Sequence, residues 1–100
     1  MKKIELPSVA EILKEEFMEP NHISAYFLAN AIEVPVSRIQ DILHDRRAIT
    51  IDTSIRLGRF FGLSDTYFLN IQNDIDARKT LSKNKESFDR ITPFHLSTVN

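Results

Sequence analysis

The stretch that decides the fold is AYFLANAIEVPVSRIQDILH, residues 25–44. Apolar side chains recur in it at helical spacing on both sides of a short break, which predicts two amphipathic helices joined by a tight turn. Leu28 and Ile32 share one face of the first helix, and Ile39 and Ile42 share the facing side of the second. The pattern therefore predicts a packed pair of short helices.

The residues between and after these helices indicate what kind of pair it is. Ala29 is small enough to let the helices approach closely, Val34 is predicted to fill the turn, and Pro35 suits the start of a helix. These features are typical of a DNA-binding helix-turn-helix, although αα-hairpins that never contact DNA share the spacing. We favour DNA binding because Arg46 and Arg47 follow the second helix almost directly.

The second helix leaves several side chains facing away from the apolar side, as a DNA-reading helix does. We expect Ser37 and Gln40 to contact bases, since serine bonds to several base edges and glutamine can grip adenine through two hydrogen bonds. Val36 could pack on a thymine methyl group, and Asp41 could accept from a cytosine amine or orient an arginine. Phosphate contacts are expected from Arg38, His44, Arg46 and Arg47. For each of these residues the alternative is an ordinary solvated side chain.

Charge is distributed unevenly along a chain whose formal net charge is −1. Residues 34–60 carry five arginines against three aspartates, whereas residues 1–20 carry more glutamates than lysines. Arginine forks onto phosphates and guanine edges, where lysine acts as a point charge. The positive surplus therefore coincides with the predicted DNA-binding surface, and its small size predicts modest affinity per monomer.

The rest of the chain also favours helices. It contains two glycines and four prolines in 100 residues, which argues against a β-sandwich or barrel. Cap signals mark the predicted helix ends: Ser8, Ser24, Thr50 and Ser64 at N-termini, and Gly62 at a C-terminus. We expect an all-α protein with a helix-turn-helix DNA-binding domain at residues 1–80. We expect residues 81–100 to form a C-terminal arm that is extended, partly disordered, or ordered only against a partner.

Several classes of function find no support in the sequence. There is no cysteine, the histidines lack the spacing of a metal site, and neither a nucleophile elbow nor a glycine-rich phosphate loop is present. We therefore expect no catalytic activity, metal, cofactor or small-molecule substrate. Residues 1–9 lack the apolar core of a signal peptide, and no apolar run is long enough for a membrane span. We expect a cytoplasmic protein with no membrane partner.

Four segments, taken in order, resemble the HigA-type or VapI-like antitoxins of addiction modules, within the larger Xre/Cro group. The segments are AEILKEEFMEP (10–20), SAYFLANAIEVPVSRIQDIL (24–43), RRAITIDTSIRLGRFFG (46–62) and YFLNIQ (67–72). The resemblance implies a five-helix fold like that of Cro or lambda repressor. It also implies a homodimer.

The resemblance further implies an antitoxin that neutralises a RelE-like, mRNA-cleaving toxin and represses their shared operon through double-stranded operator DNA. Carried over by position, the DNA-reading helix is Val36–Leu43. Arg46, Arg47 and Thr50 match the family's basic loop and its following threonine, and the resemblance implies that they also contact DNA. Asn70 and Gln72 match the family's Asn-x-Gln pair at the fifth helix. Two alternatives stay open: a stand-alone Xre-type regulator without a toxin, and a toxin-binding module that binds DNA weakly.

This chain departs from the family pattern in the turn before the DNA-reading helix and directly after that helix. Glu33 stands where the family has a turn glycine, and a left-handed backbone there would cost glutamate about 1 kcal/mol. His44 and Asp45 stand where an Asn-Gly pair usually follows the reader helix. We therefore expect the details of DNA contact to differ from those of other members.

Overall fold

The computed structural model describes residues 6–96, which form six α-helices and one π-helical segment. In chain order the elements are α1 (Val9–Ile12), the π segment (Leu13–Met18), α2 (Ala25–Ile32), α3 (Val36–Leu43), α4 (Ile51–Phe61), α5 (Tyr67–Lys83) and α6 (Lys85–Asp89). No strand occurs in this range, so the all-α class is confirmed. No helix in it is long and apolar enough to cross a membrane.

The C-terminal region departs from the expectation of an extended arm. Helix α5 continues to Lys83, and α6 makes residues 85–89 helical before the chain loses regular structure at residues 91–96. A salt bridge of 2.6 Å between Lys85 and Asp89 spans one turn of α6. Residues 97–100 of the predicted arm lie outside the described residues. So do residues 1–5, which belong to the N-terminal segment in which no signal peptide was predicted.

Side-chain caps begin three helices where the sequence predicted them. Ser8 and Glu11 form a reciprocal capping box. The Glu11 main-chain N–H donates to Ser8 Oγ at 3.1 Å, and the Ser8 main-chain N–H donates to Glu11 Oε1 at 2.8 Å. Ser24 and Thr50 each accept a hydrogen bond from the main-chain N–H three residues ahead, at 3.0 and 3.3 Å. The prediction for Ser64 was wrong, because α5 begins three residues later and has no side-chain cap.

The apolar faces of the helices meet in one core. Its fully buried side chains include Leu13, Leu28, Ile39, Ile42, Leu57 and Phe68. The ring of Phe17 packs against those of Phe61 and Phe68, with centroids 5.1 and 5.0 Å apart. Such tilted and edge-on aromatic contacts add to the stability that area burial provides. This packing holds the N-terminal helical segment against α4 and α5.

Buried polar groups fix the connections on either side of α4. The Gln72 amide accepts from the Ile49 main-chain N–H at 2.7 Å and donates to the Ile49 carbonyl at 2.8 Å. The buried hydroxyl of Ser54 donates to the Asp65 carbonyl at 2.8 Å and accepts from the Leu69 N–H at 3.1 Å. Because both side chains satisfy main-chain groups, the loop after α3 and the loop before α5 are held in place.

Gly58 allows the chain to cross α4 closely. A Cβ added to it would lie 2.3 Å from the main-chain carbonyl oxygen of Ser64, and main-chain atoms cannot move aside as a flexible side chain can. Next to this crossing, the Leu63 N–H donates to the Gly58 carbonyl at 2.7 Å. Any larger residue would therefore displace the start of the connection to α5.

Among the described residues, four have a left-handed backbone at or near the end of a helical segment, and one of these four is glycine. They are His22, Glu33, Asp45 and Gly62, with φ values of 56°, 63°, 59° and 72°. After Glu33, the Val34 N–H donates to the Ala29 carbonyl at 3.0 Å, which is the long bond of a Schellman motif. Glu33 therefore adopts the backbone that the family's glycine would favour.

Glycine at position 33 is expected to stabilise the protein. A residue with a Cβ loses about 1–2 kcal/mol of stability in the left-handed region, and glycine avoids this cost. Glycine also makes the unfolded chain more flexible, which cancels part of the gain in stability. We expect the free energy of unfolding of Glu33→Gly to rise by about 0.5–1 kcal/mol, which raises Tm by about 2–8 °C. Thermal unfolding followed by circular dichroism measures the change.

The matched control is Glu33→Ala, which removes the same carboxylate but keeps a Cβ in the left-handed region. It should show no such gain in Tm. Equal Tm values for the glycine and alanine variants would contradict strain at this turn.

Candidate nucleic-acid interface

Helices α2 and α3 form the helix-turn-helix that the sequence predicted. They pack against each other across the turn at residues 33–35. Ala29 and Val34 are buried at the crossing and in the turn, and Ile39 and Ile42 bury the inner side of α3. The crossing places one face of α3 in the core and leaves the opposite face open.

The open face of α3 carries the predicted base-contacting residues. Successive residues of a helix are turned by about 100°, so residues 36, 37, 40, 41 and 44 share an arc of about 140°. Ser37 and Gln40 are exposed, and within residues 6–96 neither side chain has a hydrogen-bond partner. Val36 is 37% exposed at the start of the helix. The arc therefore presents hydroxyl, amide and methyl groups together.

Two of the predicted DNA contacts already take part in holding the fold. The His44 Nδ1 lies 2.8 Å from the Gln40 carbonyl oxygen, at the C-terminal end of α3. The Thr50 hydroxyl caps α4 and lies 3.3 Å from the Thr53 hydroxyl, to which it donates. Both residues are exposed, so their contact with DNA stays a prediction alongside these structural roles.

The first Arg–Asp cluster comprises Asp41, Arg46 and Arg47 at the C-terminal end of α3. Arg46 donates through Nε to Asp41 Oδ1 at 3.1 Å, and its Nη2 lies 3.1 Å from the same oxygen. The Arg47 Nη2 lies 4.0 Å from Asp41 Oδ2. A main-chain hydrogen bond joins the same Arg46 and Asp41, since the Arg46 N–H donates to the Asp41 carbonyl at 2.8 Å. Of the two roles considered for Asp41, orienting an arginine is the one present in the free protein.

The second Arg–Asp cluster comprises Asp52, Arg38 and Arg56. Asp52 Oδ2 accepts from Arg38 Nη1 at 3.1 Å and from Arg56 Nε at 3.0 Å. Arg56 Nη1 also donates to the Ile32 carbonyl at 2.9 Å, at the last residue of α2. The cluster therefore ties the end of α2, the first turn of α3 and the first turn of α4 together.

Neither Asp52 nor Arg56 was among the predicted site residues. Their separation of four residues on α4 is a recognisable helical ion-pair spacing and could have indicated the pair. Their link to Arg38 could not have been predicted in this way, because 14 residues separate Arg38 from Asp52.

Arg59 lies apart from both clusters. It forms two hydrogen bonds with the Asp65 carboxylate, at 2.7 and 3.1 Å, and this bonding holds the pKa of Asp65 below its usual value. Along α4, Arg59 is about 10 Å from Asp52 by helical rise. Four of the five arginines in the predicted positive surplus therefore belong to the two clusters.

Other site chemistry is sparse in the part of the chain that the structure describes. The three histidines are exposed. Within residues 6–96, no three histidine, aspartate or glutamate side chains group so that they could hold a metal ion. The candidate site is thus a surface of guanidinium, amide and hydroxyl groups.

Comparison with known proteins assigns this arrangement to a family, although a scan against protein-family models gives no match. Virulence-associated protein I of Dichelobacter nodosus is 39% identical over 100 residues, covering 98% of this chain and 92% of that protein. A solved structure of an addiction module antidote protein of the HigA family, from Coxiella burnetii, is 34% identical with a TM-score of 0.81. The match covers 91% of this chain and 100% of that one. The chain belongs to the HigA/VapI antitoxin family.

A second solved structure connects this family fold with DNA. The Pseudomonas aeruginosa antitoxin HigA, solved with the higBA promoter, is 31% identical with a TM-score of 0.79. The match covers 89% of this chain and 98% of that one. Membership of the HigA/VapI family confirms the resemblance that the four sequence segments carried. It also confirms the helix-turn-helix fold class.

Proposed function

We propose that this HigA/VapI-family protein is a sequence-specific DNA-binding antitoxin that represses its own operon. It neutralises a cognate RelE-like, mRNA-cleaving toxin, acts as a homodimer in the cytoplasm, and has no enzymatic activity of its own. The observation that carries the DNA-binding part is the open arc of α3, where Ser37 and Gln40 have no partner within residues 6–96 and arginines stand on both flanks. The P. aeruginosa relative solved with its promoter supports it.

The open arc suits insertion of α3 into a major groove. In this arrangement the first helix of the motif crosses the backbone while the second contacts base edges. Ser37 and Gln40 then reach hydrogen-bonding groups on bases, and Val36 packs on a thymine methyl group. Arg38 and Arg47 lie at the flanks of α3, where phosphates run. Specificity therefore comes from the arc and affinity from the arginines.

A homodimer would present two copies of α3 to successive major grooves, about 34 Å apart along the duplex. We assign DNA contact to the domain at residues 1–80 and assembly to the arm at residues 81–100. The arm exposes Ile91, Phe94 and Leu96 by 68%, 83% and 76%. Apolar side chains this exposed favour burial against a second copy, which supports a symmetric complex with a palindromic operator.

Replacing Gln40 and replacing Arg47 should have different effects on DNA binding. Gln40→Ala removes a base contact, so we expect discrimination between the duplex upstream of the gene and a scrambled duplex to fall about tenfold. Arg47→Ala removes a phosphate contact, so it should weaken both complexes similarly and lower the salt slope by about 0.9. Fluorescence anisotropy over a salt series measures both. Equal weakening of both complexes by Gln40→Ala would contradict base reading by α3.

Neutralisation of a toxin is tested through the neighbouring gene. A tagged copy of this protein is expected to retain the product of an adjacent gene encoding a small basic protein, of about ninety residues by family analogy. Co-expression should also restore growth that this product alone arrests. A neighbour of another kind would favour the stand-alone regulator. Retention of the neighbour's product without a shift of the upstream duplex would favour the toxin-binding module with weak DNA binding.

A further inference from the structure

The two Arg–Asp clusters share one arrangement, in which a single carboxylate stands between two guanidinium groups beside the open arc of α3. We propose that Asp41 and Asp52 determine specificity by restraining these arginines and suppressing attachment to arbitrary DNA. The inference rests on the proposed DNA-binding function and adds a role for residues that make no base contact. It concerns the ratio of specific to non-specific affinity.

Part of the positive charge on this surface is balanced within the protein. Four arginines on this surface face two aspartates, so half of the local positive charge is cancelled before DNA arrives. Non-specific binding comes almost wholly from cations that displace counterions from phosphates, and each such contact adds about 0.9 to the salt slope. Cancelling charge on this surface therefore reduces affinity for every sequence, including the great excess of non-operator DNA.

Hydrogen bonds restrain the arginines of the second Arg–Asp cluster. Arg38 uses one Nη1 donor on Asp52 and keeps further N–H groups, since a guanidinium carries several donors. Because Arg56 also bonds to the Ile32 carbonyl, Asp52 sits in a frame fixed to both helices of the motif. A phosphate in the register that suits α3 can meet Arg38 as it stands. A phosphate in another register must break the cluster first.

Asp41 occupies an electrostatically unfavourable position on its helix. It lies in the last turn of α3, where the negative end of the helix dipole makes a carboxylate unfavourable. A contribution to the stability of α3 therefore does not explain an aspartate at this position. Asp41 is held there by Arg46, and its side chain keeps 31% exposure beside the arc. Exposed pairs of this kind add little net stability, so their effect on DNA binding is the larger consequence.

The test compares Asp41→Asn and Asp52→Asn with wild type on the upstream duplex and on a scrambled duplex of equal length. Each asparagine variant should bind the scrambled duplex about three- to tenfold more tightly at low salt, with a salt slope steeper by up to about 0.9. Affinity for the upstream duplex should rise less, because the arginines lose their fixed orientation. Discrimination should therefore fall, by up to the gain of about three- to tenfold in affinity for the scrambled duplex.

Two controls separate this effect from a change in net charge or fold. Asp74→Asn removes an exposed carboxylate that is paired with Arg78 at 3.2 Å on α5, away from both clusters, and should leave discrimination unchanged. Asp41→Glu and Asp52→Glu keep the charge and should keep most of the discrimination. Scrambled-duplex affinity unchanged by the asparagine variants, or raised equally by Asp74→Asn, would overturn this inference. Wild-type protein that binds both duplexes alike would instead contradict the proposed function.

Discussion

The candidate DNA interface depends on the turn that closes α2 and starts α3. Glu33 adopts a left-handed backbone there, so that the Val34 N–H reaches the Ala29 carbonyl and the Val34 side chain enters the core. If the chain left α2 in another direction, Ile39 and Ile42 could not bury the inner side of α3. The exposed arc is thus a consequence of one backbone conformation, and the bond from Arg56 to the Ile32 carbonyl stabilises the same point.

Local signals predicted much of this structure, because they act over three or four residues. Apolar periodicity and the Ser24 cap located α2, and Pro35 located the start of α3. The same rules failed at Ser64, since the chain there is held by the close crossing over Gly58 instead of a side-chain cap. The expectation of an extended arm was wrong at residues 85–89, where Pro93 lies too far along the chain to prevent a short helix.

The candidate site was predictable in its exposed residues but not in their partners. Ser37 and Gln40 follow from the helical arc once Ile39 and Ile42 are assigned to the core. Contacts between residues that are far apart in the sequence could not be predicted, because no sequence spacing indicates them. Examples are the contact of Arg38 with Asp52 and the contact of Gln72 with the Ile49 main chain, 23 residues away. These contacts decide how far each arginine can move. They also explain how a chain of net charge −1 can hold a cationic surface in a fixed arrangement.

The most direct test of DNA recognition by α3 is amide NMR during titration with the duplex upstream of the gene, at a salt concentration that suppresses non-specific binding. The largest shifts are expected at Ser37 and Gln40 on α3 and at Arg46 and Arg47 in the loop that follows. The distal part of α5 should shift less than α3 does. Unchanged amides along α3, with the main shifts confined to other helices, would contradict recognition through this face.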